Sequence, residues 1–143
     1  MSLPLDIADA VAAELEHGPF SAAFVPQVEV KPEYGLPDLA DLTVTVFPAS
    51  REDERYSRSQ DRADVEIHVA VQQKLQTADT NAEVRSLHGL VQEIATYLRD
   101  RPLTGLPGVK RISTRNAPLW DVKLLRESRT FGSLLRILYQ TTL

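Results

Sequence analysis

Residues 63–75, ADVEIHVAVQQKL, decide the fold. Val65, Ile67, Val69 and Val71 alternate with Asp64, Glu66, His68, Ala70 and Gln72. A period of two puts four β-branched side chains on one face of a strand and mostly polar groups on the other. Burying each of the four contributes about 1.5–3 kcal/mol as an upper estimate. A slip of one residue would turn all four to water, so the strand pairing is tightly specified.

Upstream, LTVTVF at 42–47 alternates in the same way, with Leu42, Val44 and Val46 on one side and Pro48 expected to end the strand. The connecting stretch ASREDERYSRSQDR, 49–62, has no aliphatic residue beyond Ala49 and cannot feed a core. Between two strands it reads as a long protruding charged loop or an extended hairpin tip, and loops of this length are usually functional or mobile. Arg51, Arg55, Arg58 and Arg62 recur at a spacing that one helical turn could align. Either this is a solvated tip, or it is an arm that orders against a neighbouring subunit.

Further out, residues 131–141 alternate again, with Phe131, Ser133, Leu135, Ile137 and Tyr139 on one face. Residues 109–116 form an expected strand with basic positions, and 24–30 another, pushed to an edge or a bulge by Pro26. KPEYGLP, 31–37, and LTGLPG, 103–108, read as turns. Residues 3–17 form an amphipathic helix capped by Ser2, with Ile7, Val11 and Leu15 in its stripe and Gly18-Pro19 at its end. Residues 80–99 form the strongest helix. Its expected start is a capping box of Thr80 and Glu83, and its stripe is Val84, Leu87, Val91, Ile94 and Leu98. Gly89 within it is expected to let the helix approach the sheet. PLWDVKLLRE, 118–127, is ambiguous but fits a short helix. The fold class is therefore α+β in one domain, 1–143. An antiparallel or mixed sheet carries two main helices on one face, and a long loop joins two hairpin strands. The second face is free for another subunit.

With 143 residues, 43% hydrophobic and 25% charged, the composition is globular. The absence of cysteine excludes disulfides, thiolate metal sites and cysteine nucleophiles. The opening residues carry acids and no base, unlike a signal peptide, and no apolar run reaches the length of a membrane span. The net charge of −4 hides an asymmetry: residues 1–98 hold 7 Lys/Arg against 17 Asp/Glu, residues 99–143 hold 9 against 3. The two parts either interleave and neutralise each other, or present opposite faces to neighbouring copies.

Motifs for chemistry are missing. Six glycines form no phosphate-binding loop, and no serine sits in a nucleophile motif. His17, His68 and His88 are scattered. His68 and Glu66 share the polar face of the central strand, where one His/Glu pair could bind a metal or move a proton, though a structural role is the simpler reading. The expectation is no catalytic residue, no metal and no cofactor. Lys110, Arg111, Arg115, Lys123, Arg126, Arg129 and Arg136, with Trp120 and Phe131 among them, could in principle form a nucleic-acid surface. The acidic whole chain argues against it, and both aromatics suit a core better.

LTVTVFP (42–48), the Arg/Ser-rich stretch after it, DVEIHVAVQQK (64–74), EVRSLHGLVQEI (83–94), WDVKLLRE (120–127) and FGSLLRILY (131–139) together resemble small tail-terminator, tail-completion and head–tail joining (neck) proteins of long-tailed bacteriophages. The resemblance spans roughly residues 40–140. It implies a non-catalytic virion protein with no cofactor and no membrane or specific nucleic-acid partner. Such proteins form ring homo-oligomers, often hexamers, that stop tail-tube growth and dock the head connector. They are made in the host cytoplasm and retained in the virion. On this reading Arg51, Arg55, Arg58, Arg62, Glu66 and His68 are the candidate subunit-contact residues. A soluble bacterial adaptor or inhibitor unrelated to virions is the alternative.

Overall fold

The computed structural model describes residues 2–30 and 41–143. The turn expected at 31–37 lies outside the described residues. Helix α1 (Leu3–Glu16), strands β1 (Gln27–Val28), β2 (Thr43–Arg55) and β3 (Asp61–Lys74), helix α2 (Thr80–Arg99), strand β4 (Lys110–Asn116), helix α3 (Val122–Ser128) and strand β5 (Thr130–Thr142) follow one another along the chain. The described strands form one sheet in the order β1-β2-β3-β5-β4. Every pairing is antiparallel except β1 with β2, so the sheet is mixed.

β3 sits at the centre in the register its alternation demands. Val65, Ile67, Val69 and Val71 are fully buried and lie opposite Tyr139, Ile137, Leu135 and Ser133 of β5. Val69 and Val71 also face Val46 and Val44 of β2. α1 lies over β2 and β3, and α2 over β5 and β4. Ile7, Val11 and Leu15 of α1 and Leu87, Val91, Ile94 and Leu98 of α2 complete one continuous core with the sheet. The apolar row of β3 is therefore covered mainly by the short, alanine-rich first helix. The stripe of α2 reaches past it to the β5 side.

Several local expectations change. α2 is capped by Asp79, whose carboxylate accepts from the Ala82 N–H at 3.1 Å, and not by Thr80. Glu83 instead reaches back to the preceding turn, accepting from the backbone N–H groups of Gln76 (2.8 Å) and Thr77. Burial pushes its carboxyl up, but these bonds and the nearby Arg129 outweigh that and leave it below the usual range. Gly89 faces open space: a Cβ placed there meets nothing within 4 Å. It serves no close approach to the sheet. Pro48 does not end β2. It pairs opposite Ile67, and the strand continues after an irregularity before Ser50. β1 covers β2 only at Thr45 and Val46, so Pro48 stands at a locally open edge, where its missing N–H can face away from the ladder. Only Gln27 and Val28 of the 24–30 segment pair, leaving Val25 and Val30 exposed. Phe24 instead stacks on Phe20, which also meets Tyr97 edge-on, strapping the segment after α1 to α2.

Two buried polar atoms stand out. The Tyr139 hydroxyl has no hydrogen-bond partner, and burial pushes its pKa well above the ordinary value for a phenol. The Gln72 amide nitrogen is likewise unpartnered. Two substitutions test this account of the core and of α2. Gly89→Ala should raise unfolding free energy by about 0.5–1 kcal/mol in a urea titration, because helix propensity is gained and nothing is displaced. Tyr139→Phe should be neutral or slightly stabilising, because it removes an unsatisfied buried hydroxyl; a loss above about 1 kcal/mol would reveal a hydroxyl partner.

Candidate assembly surface

The face of the sheet turned away from α1 and α2 is built from the other half of each alternation. Phe47, Ala70 and Leu134 form a small buried cluster there. His68 packs edge-on against Phe47, with ring centroids 5.2 Å apart. Its Nε2 lies 2.8 Å from Glu66 Oε2. Further along the face the Gln140 amide donates to Asp64 at 3.0 Å, and Arg136 Nε donates to the Ala117 carbonyl at 2.9 Å. The His68–Glu66 pair is thus real and stands in a hydrogen-bonded polar row. No group of three or more His, Asp or Glu able to hold a metal occurs among the described residues. A concavity of about 400 Å³ on this face is lined by Gln72, Pro118, Asp121, Leu124, Gly132, Ser133, Leu134 and Arg136, and includes neither His68 nor Glu66. Gln72, expected to point to water, is buried at the end of the face flanked by α3.

The charged stretch between β2 and β3 is mostly strand. Ser50 to Arg55 pair with Glu66 to Asp61, and only residues 56–60 turn. Tyr56 and Ser57 both donate their N–H to the Gln60 carbonyl at 3.0 Å. Every residue from 49 to 61 is exposed. The arginines are therefore not aligned by a helical turn. Arg51 makes two bonds to Asp53, at 2.9 and 3.1 Å, which hold the Asp53 carboxyl below its usual range. Arg62 bonds Glu54 across the ladder at 2.8 Å and lies 3.7 Å from Asp64. Arg55 and Arg58 stand at the exposed end of the arm. The six candidate contact residues divide into two groups. Arg62, Glu66 and His68 lie along β3, and Arg51, Arg55 and Arg58 on β2 and the turn, with Arg62, opposite Glu54, nearer the tip than Arg51, opposite Val65.

Although Arg129 lies near Glu83, few direct ion pairs join the acidic and basic parts of the chain. Of five ion pairs among the described residues, one joins them: Arg101 to Glu14, at 4.0 Å. Three arginines of the basic third donate to backbone carbonyls instead. Arg111 reaches Arg99, Arg129 reaches Thr77 and Arg136 reaches Ala117. Phe131 is fully buried, and Trp120 packs against the core and edge-on to His88. Neither offers a free face for stacking bases. His88 also contacts the Asn116 side chain at 2.9 Å, tying α2 to the end of β4. That link is invisible in sequence because its partners are 28 residues apart.

No family model matches the chain, and no curated protein is significantly similar to it. Among solved structures it is similar to the sheath/tube terminator of an extracellular contractile injection system, PVC, in the extended state, determined by cryo-EM. Sequence identity is 16% and the TM-score 0.40, over 100% of this chain and 57% of that one. The chain thus spans little more than half the length of that terminator. No helix among the described residues is long and apolar enough to cross a membrane.

The two parts of this surface should respond differently to truncation. Arg51→Ala should leave the thermal midpoint unchanged, because both partners of its ion pair stand in water. Phe47→Ala should cost about 2–4 kcal/mol by chemical denaturation, because it empties the buried cluster beneath His68. A negligible cost at Phe47 would show that this face has no core of its own.

Proposed function

We propose that the protein is a non-catalytic assembly component of the tail-terminator or neck type. It closes a ring of identical subunits at the end of a tail tube and presents a docking surface to the next component. The observation that carries this reading is the sheet's one-sided burial. α1 and α2 seal one face, while the other keeps a polar row, and the Ser50–Arg55 leg of the β2–β3 hairpin runs exposed along the outer side of β3 with no further strand of the described residues beside it. A strand leg whose own side chains all stand in water adds little to the subunit's stability, so its ordered ladder is best accounted for by a contact outside the subunit. The sequence resemblance to phage tail-completion proteins supplies the kind of assembly. The unbalanced charges of the two parts of the chain supply a head-to-tail attraction, the type of contact that generates rings.

On this reading the His68–Glu66 pair positions a contact surface and performs no chemistry. Arg51, Arg55, Arg58 and Arg62 are the arm's contact residues, and the partners are further copies of the chain, tube subunits and a connector. The protein works in a virion or a virion-like particle after assembly in the host cytoplasm.

Light scattering coupled to gel filtration, with electron microscopy of the same fractions, tests this. The full chain should form rings as concentration rises. A variant lacking Glu52–Ser59 should keep its unfolding temperature within a few degrees and lose the ring. A full chain that stays monomeric at every concentration, with and without tail tubes, would overturn the proposal. A ring that survives the deletion would remove the arm from it.

A further inference from the structure

The strand order leaves two long open edges. β4 pairs with β5 on one side only, and among the described residues no strand lies on its other side. β1 covers β2 only at Thr45 and Val46, and the Glu29 N–H adds one bond to the Val46 carbonyl. From Ser50 to Arg55 the outer edge of β2 has no strand partner among the described residues. On an open edge alternate backbone N–H and C=O groups point outward, ready to pair with another chain.

The two edges fit each other in direction. β2, β3, β5 and β4 are joined by three antiparallel pairings, so β2 and β4 run in opposite senses. A neighbour related by rotation about an axis along the strands therefore brings its β2 to this β4 antiparallel, the better hydrogen-bonded arrangement. They also fit in charge. The cross-sheet row that begins at Lys110 runs through Gln140 and Asp64 and ends at Glu52. A second row begins at Ser113 and passes through Leu138 and Glu66 to Ser50. The row that leaves one subunit at a lysine thus enters the next at a glutamate. β4 carries Lys110, Arg111 and Arg115 and no acid, while Glu52, Asp53 and Glu54 form a run on the arm. Ile112, nearly half exposed at the irregularity of β4, gives that edge an apolar contact as well.

We infer that the ring closes by β-sheet continuation: the Ser50–Arg55 edge of one copy pairs antiparallel with the Lys110–Asn116 edge of the next. The inference rests on the ring reading above and assigns its contact. It is heterologous, so it propagates around the ring instead of stopping at a dimer. Lysines and bulges are also how free edges discourage pairing. Here Glu52 on the opposite edge, whose neighbours Asp53 and Glu54 are held by Arg51 and Arg62, turns the same lysine into a selective attraction.

The chain has no cysteine, so introduced ones report cleanly. Ser50→Cys and Ser113→Cys are made separately, one carrying a small tag, then mixed in equal amounts and oxidised. Glu52→Cys and Lys110→Cys form a second pair that covers a shift in register. Light scattering on the same samples reads the ring. The expected result is a mixed disulfide dimer in at least one pair, well above either homodimer, and a ladder ending at the ring mass when both cysteines are in one chain. Rings without mixed dimers in either pair, or with homodimers dominant, overturn the edge pairing and leave the ring reading standing. Monomers at every concentration overturn the ring reading and this inference with it.

Discussion

A fourteen-residue strand whose branched apolar side chains all lie on one face must be covered on that face, while its other face carries only the small cluster of Phe47, Ala70 and Leu134. β3 imposes that condition on everything around it. Its register against β5 and β2 aligns three strands so that one continuous apolar surface forms, and the two amphipathic helices are the layer that closes it. What remains is a polar face, two open edges and an exposed hairpin leg that continues the ladder past the apolar part of β2. The features that suit the chain for assembly are consequences of how the subunit folds.

Electrostatics act on top of this geometry. Exposed pairs such as Arg51 with Asp53 add little to stability, since water and salt screen them. Their use is orientation: they hold the arm's side chains in fixed places along the ladder. The basic side chains of the last third are partly committed to backbone carbonyls, which locks β4, β5 and α3 to their neighbours. Charge that is not cancelled inside the subunit can act between subunits, where it selects partner and direction more than it adds affinity.

Much of the fold was legible because period-two and period-3.6 patterns report burial directly. The three long strands and both main helices could be read that way, while the short helix after Trp120 stayed ambiguous. Boundaries were harder. Asp79 displaced Thr80 as the cap because either side chain can reach the first turn, and only the path of the preceding chain decides. Pro48 stayed within β2 because a locally open edge need not donate at that position. The short α1 proved to cover β3 because helix placement depends on chain connections that periodicity does not encode. The candidate surface was half legible. His68 and Glu66 were placed together by the alternation, whereas the arginine spacing suggested a helix where the backbone instead forms a ladder. The pairing of Arg62 with Glu54 depends on register across the hairpin, which one-dimensional spacing does not show, and that of Arg51 with Asp53 on the stretch being strand and not helix.

Hydrogen exchange read peptide by peptide, on dilute chain and on assembled material, tests the central claim most directly. The account predicts slow exchange in residues 64–74 and 131–139 in both samples. Residues 50–55 and 110–116 should exchange quickly in the dilute chain and become protected together on assembly. Protection at only one of these two edges, or at neither while rings are present, would contradict it.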